Sequence, residues 1–342
     1  MDTMGEPTQP RQRILSGMRP TGRLHLGNLV GALWNWRMLQ DSYDCFFMIA
    51  DYHALMSDYE KPAGIAPSAR EVLIDFISCG LDPQRSVIFR QSDVPEHAEL
   101  HLILSCYTPI SWLERNPTYK EQLQQLTTKD IRNYAFLGYP VLQASDIVIY
   151  KANLVPVGED QLPHLELTRE VVRRFNALVG REVLLEPQAK LTASPRLLGT
   201  DRRKMSKSYG NQIDVADDPD TIRKKVMSMI TDPLRIKRGD PGHPEDCNVC
   251  QYFRIFCPAD QETVTDKCRH ATWGCTDCKK YLAEILIAFL AEPRDKRAEL
   301  EAHPERLKEI LADGAGKARA VARATLGEVK SLTGLGKMFD DQ

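Results

Sequence analysis

The sequence predicts an α/β protein with a Rossmann-like, doubly wound parallel sheet and a C-terminal all-helical domain. From Ile14 onward, short apolar runs alternate with amphipathic segments, and this alternation is typical of βαβ units. Few polar residues interrupt the apolar runs, as expected for parallel strands that are covered on both faces. After about Asn211 the strand-like runs stop and only helical patterns follow.

The elements of the first half can be assigned in chain order. Three short, mostly apolar runs predict strands: RILSG, DCFFMIAD and SVIFRQ. The segments between them have the apolar spacing of helices: LGNLVGALWNWRMLQD and APSAREVLIDFISCG. In the second half, helices are predicted in DPDTIRKKVMSMI, KKYLAEILIAFLAEP and GKARAVARATLGEVKSL.

These patterns divide the chain of 342 residues into three parts. Residues 1–12 are polar and contain proline, so we interpret them as a flexible leader. Residues 13–210 form the predicted Rossmann-like catalytic domain, and residues 211–342 form the helical domain. Two domains are expected at this length, because single cores usually stop growing at about 250–300 residues.

Charge and cysteine content restrict the class of protein. The formal net charge of -2 excludes a uniformly basic surface for nucleic acid, although local basic patches remain compatible with it. The chain has nine cysteines, and its first residues lack the apolar core of a secretory signal. A reducing, cytoplasmic location is therefore expected. No run approaches the roughly 18 apolar residues of a membrane span.

The loop after the first predicted strand, GMRPTGRLHLGNLVGAL, contains the first candidate site. Open α/β sheets bind phosphates at such a loop through backbone amides and the helix dipole. His25 and Asn28 are three residues apart at the helix start, so both side chains can donate to one anion. The loop matches neither GxxxxGK[ST] nor GxGxxG. An ordinary strand-to-helix turn is the alternative interpretation.

A second candidate loop is DRRKMSKSYGN, residues 201–211. Its serines and glycine favour a mobile loop, and Lys204 and Lys207 place two compact positive charges on it. Lysines of this kind can stabilise charge that develops on a leaving pyrophosphate. The alternative is a solvated basic loop, which is the usual meaning of a charge run.

Together, HLGN (His25–Asn28) and KMSKS (Lys204–Ser208) resemble the two signature motifs of class I aminoacyl-tRNA synthetases. Their order and separation fit the small tryptophanyl and tyrosyl branch. GEDQ followed by HxELTR and RFN is similar to bacterial tryptophanyl enzymes. The polar Gln143 suggests an auxiliary bacterial form, here one with a cysteine cluster. The resemblance implies activation of L-tryptophan with ATP and transfer to tRNA(Trp) by a homodimer. Tyrosine as substrate, or a noncatalytic paralogue that binds tryptophan or RNA, is the alternative.

The resemblance also implies an ATP site between the two loops, with Mg²⁺ offsetting the triphosphate charge. The implied catalytic residues are His25, Asn28, Lys204 and Lys207. The implied ATP-binding residues are Arg19, Pro20, Thr21, Gly27, Asn28, Gly158, Glu159, Asp160, Leu197, Lys204, Met205, Ser206, Lys207 and Ser208. The carboxylates of GEDQ are expected near the ribose, with capping of the following helix as the alternative.

The stretch YPVLQASDIVIY contains the implied amino-acid site. With Pro140 in the first turn of a helix, Tyr139, Gln143 and Asp146 share one face. The resemblance assigns Asp146 to the indole N–H, which can only donate; an Asp bonded to neighbouring backbone is the alternative. The other implied residues are His53, Leu15 and Gly17, with an ordinary hydrogen-bonded histidine as the alternative for His53.

Gln143 departs from the tryptophanyl pattern, because many of those enzymes have methionine at the matching position. Tyrosyl enzymes use a similar Y-x-x-x-Q-x-x-D arrangement to bind a phenol, which keeps tyrosine as the alternative substrate. Gln143 could also bind the ammonium group of the amino acid. A third role is to admit ring-substituted tryptophans such as 5-hydroxytryptophan.

Six of the nine cysteines lie between Cys247 and Cys278. The spacing Cys275-x-x-Cys278 suits a shared metal ion, and Cys268 and Cys247 would complete four ligands, with Cys250 competing for the first position. The pattern C-x20-C-x6-C-x2-C resembles the [4Fe–4S] motif of some bacterial tryptophanyl enzymes. Zinc, an empty site and scattered buried cysteines are the alternatives.

Overall fold

The structure is a computed structural model that describes residues 11–117, 119–120, 133–191 and 197–336, with the side chain of Asp160 left out. All but the last two residues of the predicted leader, residues 1–12, lie outside these ranges.

The centre of the fold is a parallel sheet of five strands in the order β3-β2-β1-β4-β5. The strands are β1 Arg13–Met18, β2 Asp44–Ile49, β3 Ser86–Arg90, β4 Leu154–Val157 and β5 Gln188–Leu191. The predicted Rossmann-like fold is therefore confirmed, with the strand order reversing between β1 and β4. Ligands of open α/β sheets bind at this reversal, outside the carboxyl ends of the strands.

Helices cover both faces of the sheet. Those up to residue 179 are α1 Leu26–Asn28, α2 Trp34–Leu39, α3 Asp51–Asp58, α4 Ile65–Ser78, α5 Glu96–Cys106, α6 Ile110–Arg115, α7 Tyr134–Val148 and α8 Leu162–Val179. A π-helical turn, Leu29–Leu33, joins α1 to α2. The predicted first helix is therefore confirmed as helical, but it contains a π turn of a kind that is common at functional sites.

Helix α7 begins earlier than the sequence predicts. The side chain of Asn133 accepts a hydrogen bond from the Phe136 N–H at 2.9 Å and so caps the helix at Tyr134. Pro140 consequently lies inside the helix, and the prediction that it occupies the first turn is wrong. A proline there removes one backbone hydrogen bond. The helix nevertheless continues through it, so Tyr139, Gln143 and Asp146 still face one side.

After residue 211, the regular elements of the described chain are helices joined by loops, including a long loop between Met227 and Asn248. Its helices are α9 Pro219–Met227, α10 Asn248–Phe256, α11 Gln261–Arg269, α12 Cys275–Phe289, α13 Ala291–Ala302 and α14 Pro304–Leu332. Helix α14 lies against the outer strand β3 so closely that a Cβ at Gly314 would overlap the Ile88 carbonyl. This contact covers a sheet edge that would otherwise be exposed. The domain boundary between residues 210 and 211 stays a prediction.

Within the described ranges, every helix is too short or too polar to cross a bilayer. All nine cysteines lie in these ranges and are free thiols.

Candidate active site

A cavity of about 410 Å³ opens at the carboxyl ends of β1, β2 and β4, where the strand order reverses. It brings together eight residues that the sequence analysis assigned to the amino-acid or ATP site: Leu15, Gly17, Arg19, His53, Tyr139, Gln143, Asp146 and Gly158. Their roles as ligands stay predictions, but their common location follows from the fold.

Several cavity residues were missed by the sequence analysis. They are Gly31, Ala32, Asn35 and Trp36 from the π turn and α2, Met56 and Ser57 from α3, and Phe136, Gln161 and His164. Gln161 belongs to the GEDQ string, so its motif was a signal that could have identified it. The others lie on helix faces whose orientation toward the cavity is set by packing on the sheet.

Gly17 is required by its neighbouring strand. A Cβ on Gly17 would lie 2.9 Å from the Met48 carbonyl oxygen, which is closer than real Cβ atoms approach. The glycine thus allows β1 to lie beside β2 where both strands enter the cavity. The sequence analysis named this glycine only as part of the amino-acid site.

Asp146 accepts hydrogen bonds from three side chains at the inner end of the cavity. Its Oδ1 accepts from Gln91 Nε2 at 2.8 Å and lies 2.7 Å from His97 Nδ1. Its Oδ2 accepts from Gln91 Nε2 at 2.9 Å and lies 2.8 Å from His53 Nε2. The partners of Asp146 are therefore distant side chains and not neighbouring backbone, contrary to the alternative interpretation.

The same contacts keep Asp146 ionised. Burial raises the pKa of this carboxyl, but the hydrogen bonds and positive potential of His53 and His97 outweigh burial and lower the pKa to about 2. A carboxylate with only 2 % of its side chain exposed is costly unless it is paired in this way. Asp146 thus presents a fixed negative charge at the cavity wall.

The surrounding groups are themselves held in place. Gln91 Oε1 accepts from the Tyr52 N–H at 3.1 Å, which directs its Nε2 toward Asp146. His97 Nε2 lies 2.7 Å from the hydroxyl of the fully buried Tyr150. His53 is both hydrogen-bonded and part of the cavity wall, so the two interpretations of this histidine are compatible.

The two signature loops form what we call the outer end of the site. Their motif residues do not line the cavity, whose wall includes Arg19 before the first motif and Gly31 and Ala32 after it. In the first loop, His25 and Asn28 cap each other. His25 Nδ1 accepts from the Asn28 N–H at 3.2 Å, and Asn28 Oδ1 accepts from the His25 N–H at 3.1 Å. Burial, with the charge of Lys207, lowers the pKa of His25 to about 4. The imidazole is therefore neutral, and its Nε2–H and the Asn28 amide N–H groups remain as donors.

The second signature loop contacts the first directly. Lys207 Nζ donates to the Thr21 carbonyl oxygen at 2.8 Å, and the Gly27 N–H lies 3.4 Å from Met205 Sδ. The Ser206 N–H donates to Asn211 Oδ1 at 2.8 Å, which fixes the base of the loop. The fold thus brings into contact two motifs that are about 180 residues apart in the sequence.

The remaining predicted ATP-site residues have different environments. Pro20, Leu197 and Met205 are buried, Ser206 is half-buried, and Lys204, Ser208, Gly158 and Glu159 are exposed. Gly158 and Glu159 directly follow β4. The side chain of Asp160 lies outside the described residues. Because Leu197 and Met205 belong to the apolar core, any contact with nucleotide would come from their backbone.

The cysteine cluster is compact but does not form a metal site. Cys247, Cys250, Cys268 and Cys278 are buried, whereas Cys275, in the first turn of α12, is partly exposed. The Cys250 thiol hydrogen-bonds with the side chains of Cys247 and Cys268. Burial raises the pKa of Cys278 to about 12, which favours a neutral thiol.

No group of three or more His, Cys, Asp or Glu side chains is arranged to hold a metal ion in the described part of the chain. The predicted [4Fe–4S] cluster and the zinc alternative are therefore not supported. Three of the thiols, Cys247, Cys250 and Cys268, instead hydrogen-bond with one another.

Comparison with known proteins is consistent with this geometry. The chain is 47% identical to the tryptophan–tRNA ligase of Thermotoga maritima, covering 94% of this chain and 99% of the relative. It is 41% identical to the same enzyme of Ralstonia nicotianae, with coverages of 95% and 98%. Nothing in these matches identifies an auxiliary form.

A solved structure has the same fold. The tryptophanyl-tRNA synthetase of Campylobacter jejuni, complexed with ADP and tryptophan, superposes with a TM-score of 0.87 at 35% identity, covering 94% of this chain and 100% of that one. The family described as tRNA synthetases class I (W and Y) matches residues 7–291. The chain therefore belongs to the tryptophanyl and tyrosyl family of class I aminoacyl-tRNA synthetases.

Proposed function

We propose that this protein is a tryptophan–tRNA ligase. It activates L-tryptophan with ATP, forming tryptophanyl-adenylate and pyrophosphate, and then acylates the 3′ end of tRNA(Trp). The observation that carries the proposal is a cavity with a buried, ionised Asp146 at its inner end, together with two signature loops that contact each other at Thr21 and Lys207, close in the chain to the cavity residue Arg19. The relatives named tryptophan–tRNA ligase match nearly the whole chain.

In the first step, the carboxylate of tryptophan attacks the α-phosphorus of ATP and pyrophosphate leaves. A carboxylate is already a competent nucleophile, so the protein's task is to align the reactants and stabilise charge. His25 Nε2–H and the Asn28 amide are neutral donors for phosphate oxygens. Lys207 now donates to a carbonyl oxygen, and a phosphate oxygen would replace that acceptor at little cost.

Lys204 is exposed on the same loop and supplies the second positive charge. Mg²⁺ supplies further charge neutralisation when it is bound with ATP. Arg19 lies at the cavity wall, two residues before Thr21 with its Lys207 contact, so it can reach either the amino acid or a phosphate. These groups act on pyrophosphate as negative charge moves onto it.

The indole N–H binds at Asp146 in this proposal. A carboxylate has about four lone-pair positions, and Gln91, His97 and His53 already occupy two on each oxygen. His53 is the partner that lines the cavity with 12% of its side chain exposed, whereas His97 is fully buried. We therefore expect His53 to yield its position on Oδ2 when tryptophan enters.

Tyrosine remains the second candidate substrate, because Tyr139, Gln143 and Asp146 lie on one cavity wall in the order that tyrosyl enzymes use. The Tyr139 hydroxyl lies 3.0 Å from His164 Nε2 and is hydrogen-bonded there. Gln143 is half-buried and faces the cavity. A phenol hydroxyl and a hydroxyindole would both find this amide a suitable partner.

Amino-acid-dependent exchange of pyrophosphate into ATP tests the proposal. Purified protein is assayed with tryptophan, tyrosine, 5-hydroxytryptophan or no amino acid, and the product is then tested for transfer to transcripts of tRNA(Trp) and tRNA(Tyr). We expect exchange with tryptophan and transfer to tRNA(Trp). Better exchange with tyrosine would change the substrate, and no exchange with any of them would favour a noncatalytic paralogue.

A metal in the cysteine cluster has weaker support, which consists of the cysteine spacing, the burial of four thiols and the contacts among three of them. No step proposed above depends on such a metal. Iron and zinc analysis of protein prepared without oxygen, together with absorbance near 400 nm for a cluster, tests this separately. Stoichiometric iron would support the [4Fe–4S] assignment, zinc alone would support the alternative, and neither metal with titratable thiols would refute both.

A cytoplasmic homodimer completes the proposal. Its support within the chain is three exposed apolar side chains on neighbouring helices, Leu102 of α5, Ile110 of α6 and Tyr134 of α7. Sedimentation equilibrium should give about twice the chain mass of 38.8 kDa. Leu102→Glu should shift the equilibrium toward monomer, whereas Leu178→Glu, at a similarly exposed position on α8, should not. A wild-type monomer at micromolar concentration would contradict the proposal.

A further inference from the structure

Arg297 on α13 is a buried guanidinium that connects the C-terminal helices to the sheet region. Its Nη1 donates to Asp75 Oδ1 at 2.6 Å, and its Nη2 donates to Glu71 Oε2. Its Nη2 also pairs with Glu301 on its own helix at 2.9 Å. The side chains of Arg297 and Asp75 are 6% and 0% exposed. Such a pair adds little to stability compared with apolar packing, so a more specific role is indicated.

The two carboxylates on α4 lead directly to the first signature loop. Asp75 Oδ2 accepts from the Leu24 N–H at 2.7 Å, and Glu71 Oε2 accepts from Arg23 Nε at 2.8 Å. Arg23 and Leu24 are the two residues immediately before His25. One guanidinium therefore orients two carboxylates, and each carboxylate holds one of these two residues.

The other side of this segment is held by the chain that follows the second signature loop. The Val215 N–H donates to the Leu24 carbonyl oxygen and the Leu26 N–H donates to the Ile213 carbonyl oxygen, both at 2.9 Å. Leu24 is thus fixed at its carbonyl by backbone and at its N–H by Asp75. Loss of the Asp75 contact would free one side of the segment just before the His25 cap.

We infer that Arg297 is a positioning residue for adenylate formation: through Glu71 and Asp75 it holds Arg23 and Leu24, and thereby sets the placement of His25 and Asn28 toward ATP. Arg297 lines no part of the cavity and does not touch substrate. The inference rests on the proposed tryptophan activation. It predicts an effect on the ATP-dependent step that leaves tryptophan binding unchanged, because the Asp146 end has separate contacts.

Three single variants test this by pyrophosphate exchange. Arg297→Lys keeps the charge but cannot bridge two carboxylates with a planar fork, and Asp75→Asn removes the charge that Arg297 orients. Both should lower kcat about ten- to hundredfold, since small misplacements of reacting groups cost this much. KM for tryptophan should change less than about twofold. The matched control Glu301→Gln removes an ion pair of Arg297 within α13 and should keep wild-type kcat.

A double variant distinguishes a positioning role of Arg297 from a purely structural one. Arg297→Met combined with Asp75→Asn leaves no unpaired buried charge at this pair, so its melting temperature should recover relative to Arg297→Met alone. Its kcat should stay low if Arg297 positions the loop. Wild-type kcat in the folded double variant, or in both Arg297→Lys and Asp75→Asn, would overturn this inference but not the proposed function. Absence of exchange in the wild type would overturn the proposed function together with it.

Discussion

The Asp146 end of the cavity and the signature loops at the outer end of the site satisfy their polar groups in opposite ways. At the inner end, Asp146 is almost completely buried, and its partners come from three separate elements. At the outer end, the lysines of the second loop are exposed or half-buried, and Lys207 donates a hydrogen bond to the backbone carbonyl of Thr21. Asp146 is therefore held by Gln91 and His97 before substrate arrives, with only His53 expected to yield, whereas the outer end makes contacts that a phosphate can readily replace.

This difference suits the two substrates. Discrimination among aromatic amino acids requires a polar group at a fixed point, because a site with fixed partners rejects molecules that leave them unpaired. Charge that moves from the α-phosphorus onto pyrophosphate instead requires positive groups that follow it. The comparison yields predictions that can be ordered by the size of the expected effect.

The largest effect is expected at the inner end. Asp146→Asn places an amide N–H against the donors of His53, His97 or Gln91, so buried donors lose their acceptor. Disruption of this charged, buried hydrogen-bond network should lower tryptophan-dependent exchange by roughly hundredfold or more. The assay is exchange at saturating ATP over a range of tryptophan concentrations. Asp44→Asn, which alters a partly exposed ion pair with Arg13, is the control.

A variant with near-normal KM for tryptophan would contradict this prediction and the assignment of Asp146 to the indole. Thermal melting should accompany the assay, since the variant also disturbs a buried network. Loss of exchange in a protein that still melts cooperatively supports a binding role.

At the outer end, Lys207→Ala should lower kcat of exchange by about hundredfold while KM for tryptophan stays near the wild-type value. The physical reason is that Lys207 would act on charge that appears only during the reaction. Arg203→Ala on the same loop removes a largely exposed cation that stacks on Tyr209, and should have little effect. An equal loss of kcat in Lys207→Ala and Arg203→Ala would show that the total charge of the loop matters and not the position of Lys207.

A smaller effect is expected at Gln143. Gln143→Met should change tryptophan-dependent exchange by less than about fivefold, because an uncharged, half-buried side chain is replaced by one of similar volume. Exchange with 5-hydroxytryptophan relative to tryptophan should fall if the amide binds a ring substituent. An unchanged ratio would assign Gln143 to the ammonium group or to packing.

The smallest effect concerns pH. Burial and Lys207 lower the pKa of His25 from 6.5 to about 4, so its neutral form persists well below pH 6.5. Its contribution to stability is present above pH 6.5 and is lost progressively as the pH falls toward 4, because the unfolded chain takes up the proton first. The exchange rate ratio of wild type to His25→Asn should vary less than about twofold between pH 5.5 and 7.5. A steep fall in this ratio near pH 6.5 would contradict the neutral, capping imidazole.

Several features of the fold could be predicted from the sequence because they depend on local pattern. The apolar runs of β1, β2 and β3 and the spacing of α4 identified these elements within a few residues. Strand β5 was missed, since QAKL is a partly exposed edge segment without an apolar run. The start of α7 was misplaced because the cap at Asn133 outweighed the preference of Pro140 for a first turn.

The sequence by itself determined the parallel α/β class, the two signature loops and the common face of Tyr139, Gln143 and Asp146. Each follows from residues that are close in the chain and from helix or strand periodicity. Only the tertiary structure decided the partners of those residues. Gln91 and His97 reach Asp146 from 55 and 49 residues away, and Arg297 reaches Asp75 from 222 residues away. A buried charge must take its partner from whatever the fold places beside it, and periodicity contains no information about that neighbour.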